Sequence, residues 1–413
     1  MIAFNKHTLS NGLKVISHFD NTSPIVAVNL LYDVGARDES PEKTGFAHLF
    51  EHLMFGGSVN VPHFDEELQQ AGGENNAFTS NDITNYYETL PLENIETALW
   101  LESDRMLSLA FTPKSLEVQR NVVVEEFKQR YLNQPYGDAW LLLRPLAYKV
   151  HPYRWATIGK EISHIENAAM QDVKDFFFTH YRPNNAILCV AGNIQPKKVF
   201  ALAEKWFGSI PKGEIKTRHL LPEPTQTEAR RLEVERDIPA DAIYITFHMC
   251  NRTHPNYQAF DLLSDVLSRG ESSRFFENLV KEKQLFSEIS AYVSGDIDNG
   301  LFIINGRFSA GVKPEEGEKE IWNELQKIAE NGIDANELTK VKNKVVSGIL
   351  FLHVNVLNKA MTLAYSELLG NANLINTETD LYLTVTTQDI QQRAAEIFIP
   401  TKASTLVYHS KKA

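Results

Sequence analysis

Cysteine is nearly missing: Cys189 and Cys250 are the only two in 413 residues, which excludes a disulfide framework. Both sit in apolar runs and read as small core residues. Long hydrophobic runs are missing too. No stretch approaches the roughly 18 apolar residues of a membrane-crossing helix, so no membrane span is expected. Positive charge is in deficit, with 41 Lys and Arg against 53 Asp and Glu for a formal charge of −12. A duplex-DNA binder needs a basic footprint, so a nucleic-acid partner is not expected. The N-terminal stretch shows no basic segment followed by an apolar core. A cytoplasmic protein is expected, or a periplasmic one if a leader has been removed.

What is present is ordinary globular usage, 43% hydrophobic and 23% charged, in a chain longer than one core holds. Two or three domains are therefore expected. Residues 7–19 predict a hairpin turning at Asn11-Gly12. Residues 25–35 predict a strand in the middle of a sheet, 77–91 a pair of strands, and 186–194 another strand. Helices are expected over 44–55, stopped by Gly56-Gly57, and over 92–109, 114–132, 168–180 and 198–208. The stretch 212–239 has prolines, mixed charge and no sustained period. Its middle, 216–232, reads as a linker between domains 1–215 and 233–413. Beyond it the order repeats, with a strand over 241–250 and a helix over 257–270. Phe46–Leu53 aligns with Phe260–Leu267, each after a strand, which points to two copies of one α+β unit.

The most informative residues are His48-Leu49-Phe50-Glu51-His52. On a helix, positions four apart share a face, so both imidazoles can reach one metal ion. Glu51 lies on the adjoining flank and suits a general base better than a ligand. This is H-x-x-E-H, the mirror order of the H-E-x-x-H zinc motif. The bland reading is an amphipathic helix with incidental histidines. However, Phe46, Ala47, Leu49, Phe50, Leu53, Met54 and Phe55 make this helix apolar nearly all round, hence buried. Two His and a Glu are costly there without a partner. A catalytic zinc takes three protein ligands, the third often a carboxylate from another element. Helical phase places Glu126 at the edge of the Val123–Phe127 face and Glu125 nearly opposite, so Glu126 is the better third ligand.

Together these segments resemble the M16 metallopeptidases, the pitrilysin or inverzincin group that includes the processing peptidases. The resemblance rests on residues 9–15, Gly35-Ala36-Arg37-Asp38-Glu39, residues 45–57, Asn76-Ala77-Phe78-Thr79-Ser80, residues 122–126 and residues 270–279. It implies a fold of two homologous α+β domains, each a mainly antiparallel sheet packed with helices. It implies His48, His52 and Glu126 as ligands of one Zn2+ and Glu51 as the base. Asn76 and Ala77 match the edge-strand segment on which the family binds extended peptide backbone by β-augmentation.

Two departures accompany it. Where self-sufficient members carry an Arg and a Tyr seven residues apart, this sequence has Val280 and Ser287. Gln119 stands where some relatives have a further acidic residue. The expected function is a zinc endopeptidase acting on extended or unfolded peptides, as the zinc-bearing subunit of a heterodimer whose paralogous partner supplies the Arg/Tyr pair. The competing reading is a non-catalytic scaffold or peptide-binding subunit.

Overall fold

The computed structural model describes residues 1–215 and 217–411. Lys216, the first residue of the expected linker, and the last two residues of the expected second domain lie outside them. The chain forms two compact units: Met1–Lys128 with Trp155–Leu220 and Leu350–Thr377, and Gln129–Arg154 with Leu221–Ile349 and Glu378–Ala413. The division is therefore not the single cut near 216–232 that the linker composition suggests. One segment from each half of the chain belongs to the other half's unit.

The first unit holds a six-stranded sheet. Its strands are β1 (Asn5–Thr8), β2 (Lys14–Phe19), β3 (Ile25–Tyr32), β4 (Glu74–Thr79), β5 (Thr84–Pro91) and β6 (Ala186–Gly192). Their order is β1-β2-β6-β3-β5-β4, antiparallel except for the parallel pair β2 and β6. Strand β3, central as expected, has seven consecutive buried residues from Val26 to Tyr32. β4 is an outer strand, with one side of its backbone unpaired within the sheet.

The second unit repeats the plan with β7 (Arg230–Arg236), β8 (Ala242–His248), β9 (Phe286–Val293), β10 (Leu301–Phe308) and β11 (Ser404–Ser410). The order is β7-β11-β8-β10-β9, with β7 and β11 the parallel pair. Strand for strand this matches β2-β6-β3-β5-β4, so the repeat seen in the sequence is a repeat of topology. Strand β7 starts inside the stretch read as linker. Its exposed residues Arg231, Glu233 and Glu235 alternate with half-buried ones, a pattern suited to an outer strand and easily mistaken for loop.

Five helices matter for the site and its framework: α1 (Phe46–Met54), α2 (Ile95–Ser108), α3 (Pro113–Phe127), α4 (Tyr257–Ser268) and α5 (Val356–Leu368). Helix α5 explains the exchange of segments. Ala360, Leu363 and Ala364 are buried with Ile16, Ala27, Leu31, Ile187 and Cys189 of the first sheet. Small alanines let the helix lie close to that sheet. Cys189 is thus a core residue, as expected, and Cys250 is half-buried. Among the described residues no single helix is long and apolar enough to cross a membrane.

Candidate metal centre

Helix α1 begins at Gly45, whose φ of 86° suits glycine, and a Cβ there would lie 2.6 Å from the Ile158 carbonyl oxygen. Glu39 then holds the first turn. Its Oε2 accepts the Gly45 N–H and its Oε1 the Ala47 N–H, both at 2.8 Å. A carboxylate on those amides satisfies orphan donors and favours the positive end of the helix dipole. Burial opposes this and pushes the Glu39 carboxyl up to about 8. The rest of that five-residue motif is also tied down. Arg37 pairs with Asp33 at 3.1 Å and Asp82 at 2.9 Å, and Asp38 pairs with Arg218 at 2.5 Å.

Along α1 the apolar residues Phe46, Ala47, Leu49, Phe50, Leu53 and Met54 are buried. Phe50 stacks on Phe176 at 5.0 Å and on Tyr181 at 5.2 Å. His48, Glu51 and His52 are half-buried and form the helix's one polar stripe. The two imidazoles stand edge to face with centroids 4.8 Å apart.

Helix α3 brings the third group. Thr112 caps its N-terminus by accepting the Ser115 N–H, with Pro113 in the first turn. Leu116, Val123, Val124 and Phe127 anchor its inner face. Glu126 Oε2 lies 3.3 Å from His52 Nε2 and 3.7 Å from His48 Nε2. One ligand-capable atom from each of the three residues falls within 4.8 Å of the others. Glu125 is far more open, 60% exposed, and pairs with Lys128 at 2.7 Å.

Glu51 is poised differently from Glu126. Thr79 Oγ1 donates to Glu51 Oε2 at 2.7 Å. Burial, the largest influence, raises the Glu51 carboxyl; the Thr79 hydrogen bond and His52 lower it, and Glu126 raises it. Asn76 and Ala77 sit on β4, paired with Tyr87 and Tyr86 of β5, with Asn76 exposed. In the second unit, Val280 packs against the core and the Ser287 hydroxyl donates to the Arg307 carbonyl at 3.3 Å. Spacing along the sequence points to neither Thr79 nor Glu39, although each lies in a segment that carries the resemblance, 76–80 and 35–39.

Two α+β units of one topology, the first with a His–His–carboxylate cluster beside a second glutamate, define a duplicated-domain protein with a candidate metal centre in its first unit. Comparison with known proteins makes the class specific. Residues 14–137 match the family model described as insulinase (peptidase family M16), and residues 167–345 the model described as peptidase M16 inactive domain. A Helicobacter pylori protein named zinc protease PqqE is 34% identical over 81% of this chain and 77% of its own length. The mitochondrial-processing peptidase subunit beta of Saccharomyces cerevisiae is 27% identical over 60% of this chain and 54% of its own. A solved protease from Helicobacter pylori superposes with a TM-score of 0.94 and 30% identity, covering 99% of this chain and 100% of that one. The chain belongs to the M16 peptidase family.

Proposed function

We propose that this chain is a zinc-dependent endopeptidase, with His48, His52 and Glu126 as metal ligands and Glu51 as general base. The observation that carries it is the convergence of the three donor atoms. In a tetrahedral zinc site with bonds of about 2.0–2.1 Å, neighbouring donors lie about 3.3–3.4 Å apart. The spacings of 3.3 and 3.7 Å onto Glu126 are close to that. Two imidazoles and a carboxylate also match the ligand chemistry of catalytic zinc, with a fourth position left over.

Zinc, when bound, supplies a Lewis acid that polarises a carbonyl and lowers the pKa of water toward about 7. The chain's own residues do the rest. Glu51 takes a proton from water as the oxygen adds to the scissile carbonyl carbon. It delivers that proton to the departing nitrogen as the C–N bond breaks. Partial burial strengthens Glu51 as a base. An extended peptide adds to the outer side of β4 along Asn76 and Ala77, so backbone, more than side chains, governs recognition. Extended or unfolded peptides follow as the substrate class.

The reading extends to a partner. The half-buried Val280 and the short hydroxyl of Ser287 offer no guanidinium or phenol, and some relatives are named as subunits. A paralogous subunit supplying an Arg and a Tyr would complete the enzyme. The scaffold alternative has one observation in its favour, the same pair of substitutions. Metal analysis of the purified chain, then peptide hydrolysis with and without such a paralogue, tests all of this. One zinc per chain and turnover lost on chelation are expected. A chain that takes up no zinc overturns the enzyme reading; full turnover alone overturns the partner.

A further inference from the structure

We infer that Thr79 is a positioning residue that ties the general base to the strand on which substrate is read. This deepens the metallopeptidase reading and rests on it. Thr79 is the last residue of β4, paired with Thr84 across the ladder. Side chains alternate along the strand, so Asn75, Ala77 and Thr79 share the half-buried face while Glu74, Asn76 and Phe78 are exposed. From that inner face the Thr79 hydroxyl reaches Glu51 at 2.7 Å.

The residues after Thr79 hold it in place. Ser80 closes a tight turn, its N–H donating to the Ile83 carbonyl at 2.8 Å and its Oγ accepting the Asp82 and Ile83 amides at 3.1 Å. That turn is bonded to the segment before α1. The Ala36 N–H donates to Ser80 O at 3.1 Å, the Arg37 N–H to Asn81 O at 2.9 Å, and the Arg37 guanidinium meets Asp82 at 2.9 Å. Two residues on, Glu39 grips the N-terminus of α1. The connections close a circuit. It leaves α1 at Gly45 and Ala47, runs through Glu39, Arg37 and the 80–83 turn, and returns to α1 at Glu51 through Thr79.

A carboxylate on a three-bond side chain has several rotamers, and His52 and Glu126 both act on the Glu51 carboxyl, so a Glu51 released from Thr79 would be free to compete for the same ion. The threonine hydroxyl selects against that. A peptide adding to β4 takes its register from the strand's backbone, and Thr79 transmits that register to Glu51. The base and the scissile bond are thereby aligned by one residue.

Cobalt(II) loaded in place of zinc tests this through its visible absorption, which weakens as coordination number rises. Thr79→Val keeps the shape and removes the donor. We expect a weakened, shifted cobalt spectrum, restored in Thr79→Ser and absent when Thr79→Val is made in a Glu51→Ala background. Peptide hydrolysis by the zinc form together with the paralogous subunit should lose on the order of 10²-fold in kcat with KM little changed, again recovered by Ser. Thr79→Ala replaces Val should the branched methyl disturb folding, which a thermal melt reports. A spectrum unchanged by the loss of the hydroxyl, a Ser variant that restores nothing, or a change persisting without Glu51 would overturn the assignment. A wild-type chain that binds no cobalt or zinc is a different result and overturns the metal reading itself.

Discussion

Replacing Glu88 and, separately, Glu102 by glutamine tests how charge is balanced in the core beside helix α1. Glu88 on β5, and Glu102 and Arg105 on α2, are 0%, 0% and 1% exposed. Arg105 lies over the rings of Phe55, Phe64 and Tyr86 at 5.3, 4.4 and 4.4 Å. Its Nε donates to Glu102 Oε2 at 2.9 Å and its Nη2 to Glu102 Oε1, a two-pronged pair. Glu88 Oε1 stands 3.6 Å from the same Nη2, beyond hydrogen-bond length. One guanidinium balances one carboxylate, and a second buried negative charge would cost several kcal/mol. Burial and the charge of Glu102 accordingly push the Glu88 carboxyl well above the usual range, which favours its neutral form.

Glutamine mimics a protonated Glu88, so Glu88→Gln should cost less than about 1 kcal/mol at neutral pH. Glu102→Gln breaks the fork and leaves Arg105 only the more distant Glu88 at 3.6 Å, a loss of up to about 3–5 kcal/mol. At about 2–4 °C per kcal/mol for a unit this large, the second variant melts about 6–20 °C lower and the first within about 4 °C of wild type. Thermal melts at pH 6, 7.5 and 9 supply the second half of the test. Because the Glu88 pKa is raised on folding, the native state holds a proton that the unfolded chain releases. That stability is present at low pH and is lost as pH rises above the ordinary carboxylate range toward the folded pKa. The wild type should therefore weaken toward pH 9 more steeply than Glu88→Gln. Equal losses for the two substitutions, or an unchanged pH slope in Glu88→Gln, would refute the reasoning.

Three further outcomes follow from the geometry. Glu126→Gln should cut zinc affinity by at least an order of magnitude on dialysis against a competing chelator, while Glu125→Gln, altering a solvent-facing pair, leaves it unchanged. Gly45→Ala should cost about 1–3 kcal/mol from the backbone alone, plus the contact with Ile158, read as a lowered unfolding midpoint with reduced metal retention. Cys189, buried among the first sheet and α5 with its thiol pushed up, should resist a thiol reagent until the protein unfolds; labelling of Cys189 in the native chain within minutes would contradict that packing.

The local features were legible and the long-range ones were not. Glycines on both flanks and a run of apolar residues mark α1 without any partner in view. Helical phase separates Glu126 from Glu125 because their neighbours Val123 and Phe127 must face inward. The buried charge cluster offers no such handle. Glu102 and Arg105 sit three apart on a helix, a spacing that usually marks a solvated pair. They are buried only because Phe55, Phe64 and Tyr86 arrive from three other elements. Helix α5 gives a similar lesson. Its alanines announce a close-packed face, but nothing local says which of two like sheets that face covers, so a cut at a linker cannot reveal the exchange of segments.

The second unit shows how few residues separate a candidate metal centre from an apolar core. In the aligned helices, His48 corresponds to Leu262, Glu51 to Asp265 and His52 to Val266. Leu262 and Val266 are buried, as side chains with no ligand to offer can be. Asp265 keeps a carboxylate, raised to about 6 by burial, but it pairs with Arg269 one turn on at 2.7 Å. An acid neutralised by its own helix is not available as a base. The frame is the same in both units: a central strand, then a helix packed against the sheet. The frame therefore does not create the centre. It presents one helix face at a fixed place, and the side chains on that face and on a second helix decide whether three donors converge there. If so, placing histidines at Leu262 and Val266 alone should yield no second zinc, since Asp265 is already paired and no third ligand has been supplied. Two zinc ions per chain in that variant would show the frame to contribute more than its position.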